Sequence, residues 1–98
     1  MAAYFVLQYE VNDRDLYREY QVGAGATAQA HGVEVVVYDE AAETIEGTPP
    51  GKQTIVLKFR DTDHFREWYD SDEYQAVIGK RHAATDGFGV LSQSMNVQ

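Results

Sequence analysis

Residues 4–11 have the sequence Tyr-Phe-Val-Leu-Gln-Tyr-Glu-Val, whose alternation predicts a β-strand with two different faces. One face is wholly apolar or aromatic and carries Phe5, Leu7, Tyr9 and Val11. The other face begins with Tyr4 and Val6 and becomes polar at Gln8 and Glu10. Such a strand has one face suited to a core and a second face that is apolar in part.

The chain around this strand predicts an alternation of strands and helices. A helix begins after a cap at Asn12 or Asp13, continues to about Ala30 and stops at Gly32. A short helix begins after Asp61 or Thr62, and a further helix begins after Ser71. Further strands are predicted over residues 33–39, over residues 53–59 and, after a turn ending at Gly87, over residues 88–97.

The resulting order is strand, helix, strand, strand, broken helix, strand. Two interleaved βαβ halves give an α+β, ferredoxin-like βαββαβ fold, with a four-stranded antiparallel sheet covered by helices on one face. A length of 98 residues is enough for one core, so residues 1–98 are predicted to form a single domain.

Composition excludes several classes of function. The net charge is −8, and the eight basic residues are scattered, so we expect neither a nucleic-acid partner nor an anionic membrane surface. There is no cysteine, which excludes disulfides, thiolate nucleophiles and Cys-ligated metals. The first residues lack a basic segment before an apolar run, so the expected location is cytoplasmic, in a bacterium or a similar cell.

The predicted sheet has more apolar surface than its own helices can cover. Val36, Tyr38 and Val56, together with Tyr4 and Val6, are placed on the uncovered face, beside Ile45. An exposed patch of this kind is unusual in a soluble monomer, and a second copy packed sheet on sheet would bury it. We therefore expect a homodimer. The alternative is a monomer whose second sheet face is partly exposed to solvent.

Two segments have a recognisable pattern: Trp68-Tyr69-Asp70-Ser71-Asp72-Glu73-Tyr74-Gln75 and Arg81-His82-Ala83-Ala84. They resemble the bacterial domain-of-unknown-function family 1330, of the dimeric α/β-barrel superfamily. Further matches are Tyr20, Gly32, Glu46-Gly47 before the double proline, and the strand ending in Phe59. The family pattern has Gly-Gly where this chain has His31-Gly32, and it closes with Glu-Gly where this chain has Ser92-Gln93-Ser94.

The resemblance implies a two-fold dimer of ferredoxin-like units but no activity. The wider superfamily includes cofactor-free monooxygenases and isomerases that act on aromatic or polyketide-like compounds. An enzyme of that kind needs a base, and the sequence offers two candidates, Glu46 and His31.

Glu46 and Arg81 are the most informative charged residues. Glu46 lies between Ile45 and Gly47, an apolar context in which we expect Arg81 to compensate its charge. One interpretation is a structural ion pair between the two. The other makes Arg81 an anchor for a substrate carboxylate or enolate, oriented by Glu46.

The aromatic residues and histidines complete the candidate site. Tyr20, Trp68 and Tyr74 are expected to line a pocket between the helices and the sheet, or else simply to belong to the core. The histidines have no metal-ligand spacing, so no metal and no organic cofactor is predicted. His31 is expected to cap a helix, His64 to lie in a solvated first turn, and His82 to lie on an exposed edge.

The leading hypothesis is a homodimeric small-molecule-binding protein whose pocket is lined by five side chains: Tyr20, Glu46, Trp68, Tyr74 and Arg81. One alternative is a cofactor-independent enzyme, monooxygenase- or isomerase-like, acting on a small aromatic or polyketide-type substrate. Another is a purely structural dimer, which predicts an interior filled by side chains.

Overall fold

A computed structural model describes residues 1–95 of the chain. Its four strands are β1 (Ala3–Val11), β2 (Glu34–Asp39), β3 (Gln53–Phe59) and β4 (Thr85–Gln93). Its three helices are α1 (Arg14–Ala30), α2 (Thr62–Tyr69) and α3 (Asp72–Ala84). Within the described residues, none of these helices combines the length and apolar character needed to cross a bilayer.

The strands form one antiparallel sheet in the order β2-β3-β1-β4. The core lies on one face of this sheet, where the odd-numbered residues from Ala3 to Tyr9 and from Gln53 to Phe59 are buried. All three helices contribute buried residues to that core. The prediction of an α+β, ferredoxin-like fold is confirmed.

Each helix begins with a side-chain cap, as the sequence predicts. Asp13 and Asp61 accept backbone N–H bonds from the third residue after them, at 3.1 and 2.8 Å. The hydroxyl of Ser71 does the same for α3, at 3.2 Å. At the other end of α1, Gly32 adopts a φ of 67°, which explains why a glycine follows the helix.

The start of the last strand differs from the prediction. β4 begins at Thr85, directly after α3, and Gly87 lies within the strand instead of ending a turn. A Cβ at Gly87 would come within 2.2 Å of the Gln8 carbonyl oxygen, so this glycine serves the close packing of β4 on β1. The predicted strand end at residues 96–97 lies outside the described residues.

Two glycines of the loop between β2 and β3 have different roles. Gly47 adopts a positive φ, at 80°. Gly51 instead lies so close to β1 that a Cβ would come within 2.3 Å of the Glu10 amide nitrogen. The absence of a side chain at Gly51 therefore allows the loop and the β1 backbone to approach each other closely.

A β-bulge in β2 changes which side chains share a face. Val35 lies opposite Leu57, whereas Val37 lies opposite Val56 and Tyr38 opposite Ile55. Tyr38 is therefore on the helix-covered face, where its hydroxyl accepts a hydrogen bond from the Gln21 amide. The prediction that Tyr38 belongs to the uncovered face is wrong, because the extra residue at the bulge reverses the alternation.

The uncovered face nevertheless carries a continuous apolar row, which we call the valine row. It crosses all four strands through directly paired residues: Val37, Val56, Val6 and Val90. Val37 and Val90, on the edge strands, are 37% and 48% exposed, while the two central valines are half-buried. The helices of this chain leave this row to the solvent.

His64 is buried, although the sequence placed it in a solvated turn. Its Nδ1 accepts the Arg60 backbone N–H at 3.0 Å, so its Nε2 carries the hydrogen and donates to the His31 carbonyl oxygen at 2.6 Å. The ring packs edge-on against Phe59. This imidazole thus joins the end of α1 to the start of α2 and satisfies both backbone groups.

Replacing His64 by Ala should lower the free energy of unfolding by about 2–4 kcal/mol, because it leaves two backbone groups without a partner and opens a small cavity. Urea unfolding of the two proteins measures the difference. His31→Ala is the matched control, since it retains the carbonyl that His64 binds. Equal losses in the two variants would contradict the bridging role.

Candidate functional site

Arg81 is the most unusual charged residue of the structure. It lies in the last turn of α3 and is only 6% exposed, on the helix side that also buries Tyr74 and Ile78. Among residues 1–95, no acidic side chain forms an ion pair with it. A buried charge without a counter-ion is costly, and such groups are retained mainly where they have a function.

The neighbours of the Arg81 guanidinium are aromatic rings and one imidazole. Its central carbon is 5.9 Å from the ring centres of both Phe5 and Tyr20. Its Nη2 is 3.4 Å from the Nε2 of His82, a long hydrogen bond at best. Its Nη1 is shielded from solvent and has no hydrogen-bond partner among the described residues.

Arg81 lines a cleft at the β4 edge of the sheet, which we call the Arg81 cleft. The cleft has a volume of about 330 Å³. Its walls come from α2, α3, β1 and β4 and are formed by Phe5, Phe65, Arg66, Tyr69, Arg81, His82, Gly89 and Leu91. Gly89 lets the Phe5 ring pack directly on the β4 backbone, because a Cβ there would come within 2.8 Å of that ring.

Four buried tyrosines form two hydroxyl pairs beside Arg81. The hydroxyls of Tyr9 and Tyr17 are 2.6 Å apart, and those of Tyr20 and Tyr74 are 2.7 Å apart. Burial raises the pKa of all four hydroxyls above the usual value of 10.0, although the charge of Arg81 opposes the rise at Tyr20. These tyrosines are therefore neutral at ordinary pH and act as hydrogen-bonding groups, not as bases.

A second, smaller space lies under α1 near the β2 edge, and we call it the α1 cavity. Its volume is about 120 Å³, and its walls include Tyr20, Trp68, Ala24 and Val35. A cavity of this size holds at most a group about as large as a benzene ring. The indole N–H of Trp68 is already satisfied by the Thr27 hydroxyl, at 3.1 Å.

The structure divides the five predicted site residues among four places. Tyr20 and Trp68 line the α1 cavity, and Arg81 lines the Arg81 cleft. Tyr74 is fully buried between them, with its ring centre 4.1 Å from that of Trp68. Glu46 is exposed on the loop between β2 and β3 and lines none of these spaces.

The expected pairing of Glu46 with Arg81 is therefore wrong in the described chain. The apolar neighbours of Glu46 do not bury it, because its loop extends into solvent and the adjacent Ile45 is itself 80% exposed. His31 lines neither space. It occupies the C-cap position of α1, but the group that caps the helix is its backbone N–H, which donates to the Thr27 carbonyl oxygen at 3.0 Å, while its Nε2 lies 4.0 Å from a Glu73 carboxylate oxygen.

His82 is a site residue that the sequence reasoning passed over. It is exposed, as expected, but the edge on which it lies is the wall of the Arg81 cleft. Partial burial and the neighbouring Arg81 charge lower the pKa of His82 below 6.5. Its position beside a buried arginine at a helix end was the available signal.

Comparison with known proteins identifies the family of the chain. A family model described as "Domain of unknown function (DUF1330)" matches residues 2–94. The chain belongs to this family. The resemblance inferred from the sequence is thus confirmed, and no curated protein matches the DUF1330 chain in sequence.

Several solved structures share the fold of the DUF1330 chain at low sequence identity. The RPA0582 protein of unknown function from Rhodopseudomonas palustris is 13% identical, with a TM-score of 0.78, 98% of this chain covered and 84% of that one. SnoaB, a cofactor-independent oxygenase from Streptomyces nogalater, is 11% identical, with a TM-score of 0.67 and coverages of 98% and 95%. HapK from Hahella chejuensis is 12% identical, with a TM-score of 0.65 and the same coverages.

Replacing Arg81 by Met tests whether the buried charge stabilises the DUF1330 chain. We expect the free energy of unfolding to stay unchanged or to rise by about 1–2 kcal/mol, as happens when buried ionic groups give way to apolar ones. Chemical denaturation measures it, with the exposed Arg66→Met as the control. A loss above about 2 kcal/mol in Arg81→Met alone would indicate a structural role for the charge.

Proposed function

We propose that this chain is a homodimeric protein that binds a small organic anion, a carboxylate or an enolate, in the Arg81 cleft. The observation that carries the proposal is the guanidinium of Arg81, buried without an acidic partner and lining an open cleft. An anion at this position would compensate the charge and accept charge-assisted hydrogen bonds. The binding energy of the ligand would thereby offset the cost of burying the arginine.

The Arg81 cleft suits a ligand better than the α1 cavity does. Its volume of about 330 Å³ falls within the range of small-molecule sites, whereas about 120 Å³ does not. The Phe65 and Tyr69 rings, stacked with centres 5.2 Å apart, give its wall an apolar surface for the body of a ligand. Arg66, whose guanidinium lies over the Phe65 ring, adds a second positive charge.

Benzoate is a suitable probe because it combines a carboxylate with a flat apolar ring. In nitrogen-15 NMR titrations of the full chain, we expect shifts at the amides of Tyr69, His82 and Gly89. Arg81→Met should weaken binding at least about tenfold, because a hydrogen bond to a charged group contributes about 1.5–3 kcal/mol and 1.4 kcal/mol is tenfold in affinity.

Lys80→Met is the matched control for this titration. Lys80 precedes Arg81 but directs its ammonium group to Glu19 on α1, at 3.6 Å, so its loss should leave the affinity for benzoate unchanged. Shifts confined to residues around the α1 cavity would contradict the placement of the ligand. If Arg81→Met and Lys80→Met weaken benzoate binding equally, the effect is a nonspecific consequence of the lost positive charge.

The homodimer is supported by the valine row. The row is apolar across the full width of the sheet, and the helices occupy only the opposite face. Phe88, on the same face and 49% exposed, extends the apolar surface along β4. A two-fold contact would place this surface against its own copy, which removes apolar side chains from water in both protomers.

Replacing Val56 by Asp should convert the dimer to a monomer, because a carboxylate in the centre of the apolar contact would be buried without a partner. Light scattering should then report about 11.0 kDa instead of twice that mass. Val22→Asp, at a position 73% exposed on α1, should leave the dimer intact. A wild-type particle of one chain at micromolar concentration would refute the homodimer.

A cofactor-independent enzyme is the second candidate function, and the absence of a metal or organic cofactor remains part of that prediction. SnoaB, which shares the fold, is described as a cofactor-independent oxygenase. The bases that the sequence offered, Glu46 and His31, lie outside the Arg81 cleft, so catalysis there requires another group. A purely structural dimer is less consistent with the open cleft.

A further inference from the structure

Among residues 1–95, one side chain in the Arg81 cleft can accept a proton near neutral pH. The titratable and charged walls of the cleft are Arg66 and Tyr69 from α2 and Arg81 and His82 from α3. β1 and β4 contribute only Phe5, Gly89 and Leu91. Since the arginines are always protonated and a tyrosine is a proton donor at this pH, the imidazole of His82 is the candidate base.

His82 is held next to the guanidinium by its position in α3. The two residues are consecutive, and the Nε2 of His82 is 3.4 Å from the Nη2 of Arg81. A ligand oxygen bound to Arg81 would consequently lie a few ångströms from the imidazole. The His82 ring is also exposed, so a ligand can reach it without displacing core residues.

The charge state of His82 bears on whether the cleft only binds a carboxylate or also removes a proton from its ligand. Partial burial and Arg81 lower the pKa of His82 from 6.5, which leaves the imidazole neutral at pH 7. The cleft already has two cations for binding a carboxylate, Arg81 and Arg66, and a neutral imidazole adds no charge to them. It does, however, supply a base close to the group that holds an oxygen.

Resting on the function proposed above, we infer that His82 and Arg81 form a proton-transfer site for carbonyl compounds with an acidic C–H bond next to the carbonyl group. His82 removes the proton, the C–H electron pair forms a C=C bond, and the carbonyl oxygen becomes an enolate oxygen held by Arg81. Return of the proton from His82 to the same or another carbon completes the reaction. The net change is hydrogen exchange or isomerisation, and no oxidant or reductant is consumed.

The apolar walls of the cleft favour a flat ligand. Phe5, Phe65 and Tyr69 give the cleft an aromatic wall, since the Phe5 ring centre lies 5.1 Å from that of Phe65 and 5.8 Å from that of Tyr69. A conjugated enolate is planar, so it can lie flat against such a wall, whereas a tetrahedral group cannot. The substrate class is therefore a small aromatic or conjugated ketone.

Hydrogen–deuterium exchange at the CH₂ groups of 2-indanone tests this activity directly. Incubated with the full chain in deuterium oxide, this flat ketone should lose the proton NMR signals of its two CH₂ groups faster than in buffer alone. His82→Gln should reduce the protein-dependent rate by about 10²-fold or more, and Arg81→Met should reduce it as well. His31→Gln, which removes one of the two bases predicted from the sequence, should leave the rate unchanged.

The pH profile identifies the base. The exchange rate should rise with pH through the pKa of His82, read from its own ring signals, and level off above it, because only the neutral imidazole accepts a proton. Protein-dependent exchange that survives His82→Gln, or that disappears equally in His31→Gln, would overturn the inference. Melting temperatures of the variants confirm that each is folded.

The benzoate titration separates this inference from the function on which it rests. If benzoate binds in an Arg81-dependent way but 2-indanone does not exchange, the proton-transfer site is refuted and the anion-binding function stands. If benzoate shifts no residue of the cleft, the proposed function itself fails. Hydrogen–deuterium exchange that depends on both His82 and Arg81 supports both the proton-transfer site and the anion-binding function.

Discussion

The three helices of this chain cover only the middle of a four-stranded sheet, and this constraint determines where its free surfaces lie. α1 and α3 pack closely on one another, since a Cβ at Gly23 would come within 2.6 Å of a Val77 methyl group. The helix pair therefore lies over the central strands, β1 and β3, whose inward side chains are buried. The edge strands β2 and β4 are left largely exposed.

The α1 cavity and the Arg81 cleft both follow from this incomplete cover. At the β2 edge, small residues of α1 such as Ala24 leave the α1 cavity above Val35. At the β4 edge, α2 and α3 leave much of the strand exposed, and the Arg81 cleft lies between these helices and β4. The buried polar residue of this cleft is Arg81, which makes the cleft suited to an anion instead of to further core.

The sequence predicts this architecture well where one physical signal dominates. The alternation in β1 identified the buried face, and Asp13, Asp61 and Ser71 identified the helix starts, because a capping side chain acts within three residues of itself. Prediction from the sequence fails where residues that are distant in the sequence determine the local structure. β2 is apolar on both sides, so nothing local marks the bulge at Val36, and His64 is buried by backbone groups from two different turns.

The candidate site shows the same division. Arg81 was identified from its place on the apolar side of a helix, a local signal. The local sequence could not determine whether Arg81 pairs with Glu46. That contact depends on the path of the 13-residue loop between β2 and β3, which contains two prolines. For His82, exposure was predicted correctly, but only the tertiary structure reveals that the exposed edge is the wall of a cleft.

The proposed dimer contact and the Arg81 cleft lie on opposite faces of the same strands. Val6 and Val90 belong to the valine row, while Phe5 and Gly89, their neighbours in sequence, line the cleft. A partner packed on the valine row would therefore contribute no side chain to the cleft but would hold the strands that form its floor. Because the Phe5 ring packs directly on the β4 backbone at Gly89, support of β4 from the opposite face would also hold the ring that forms one wall of the cleft.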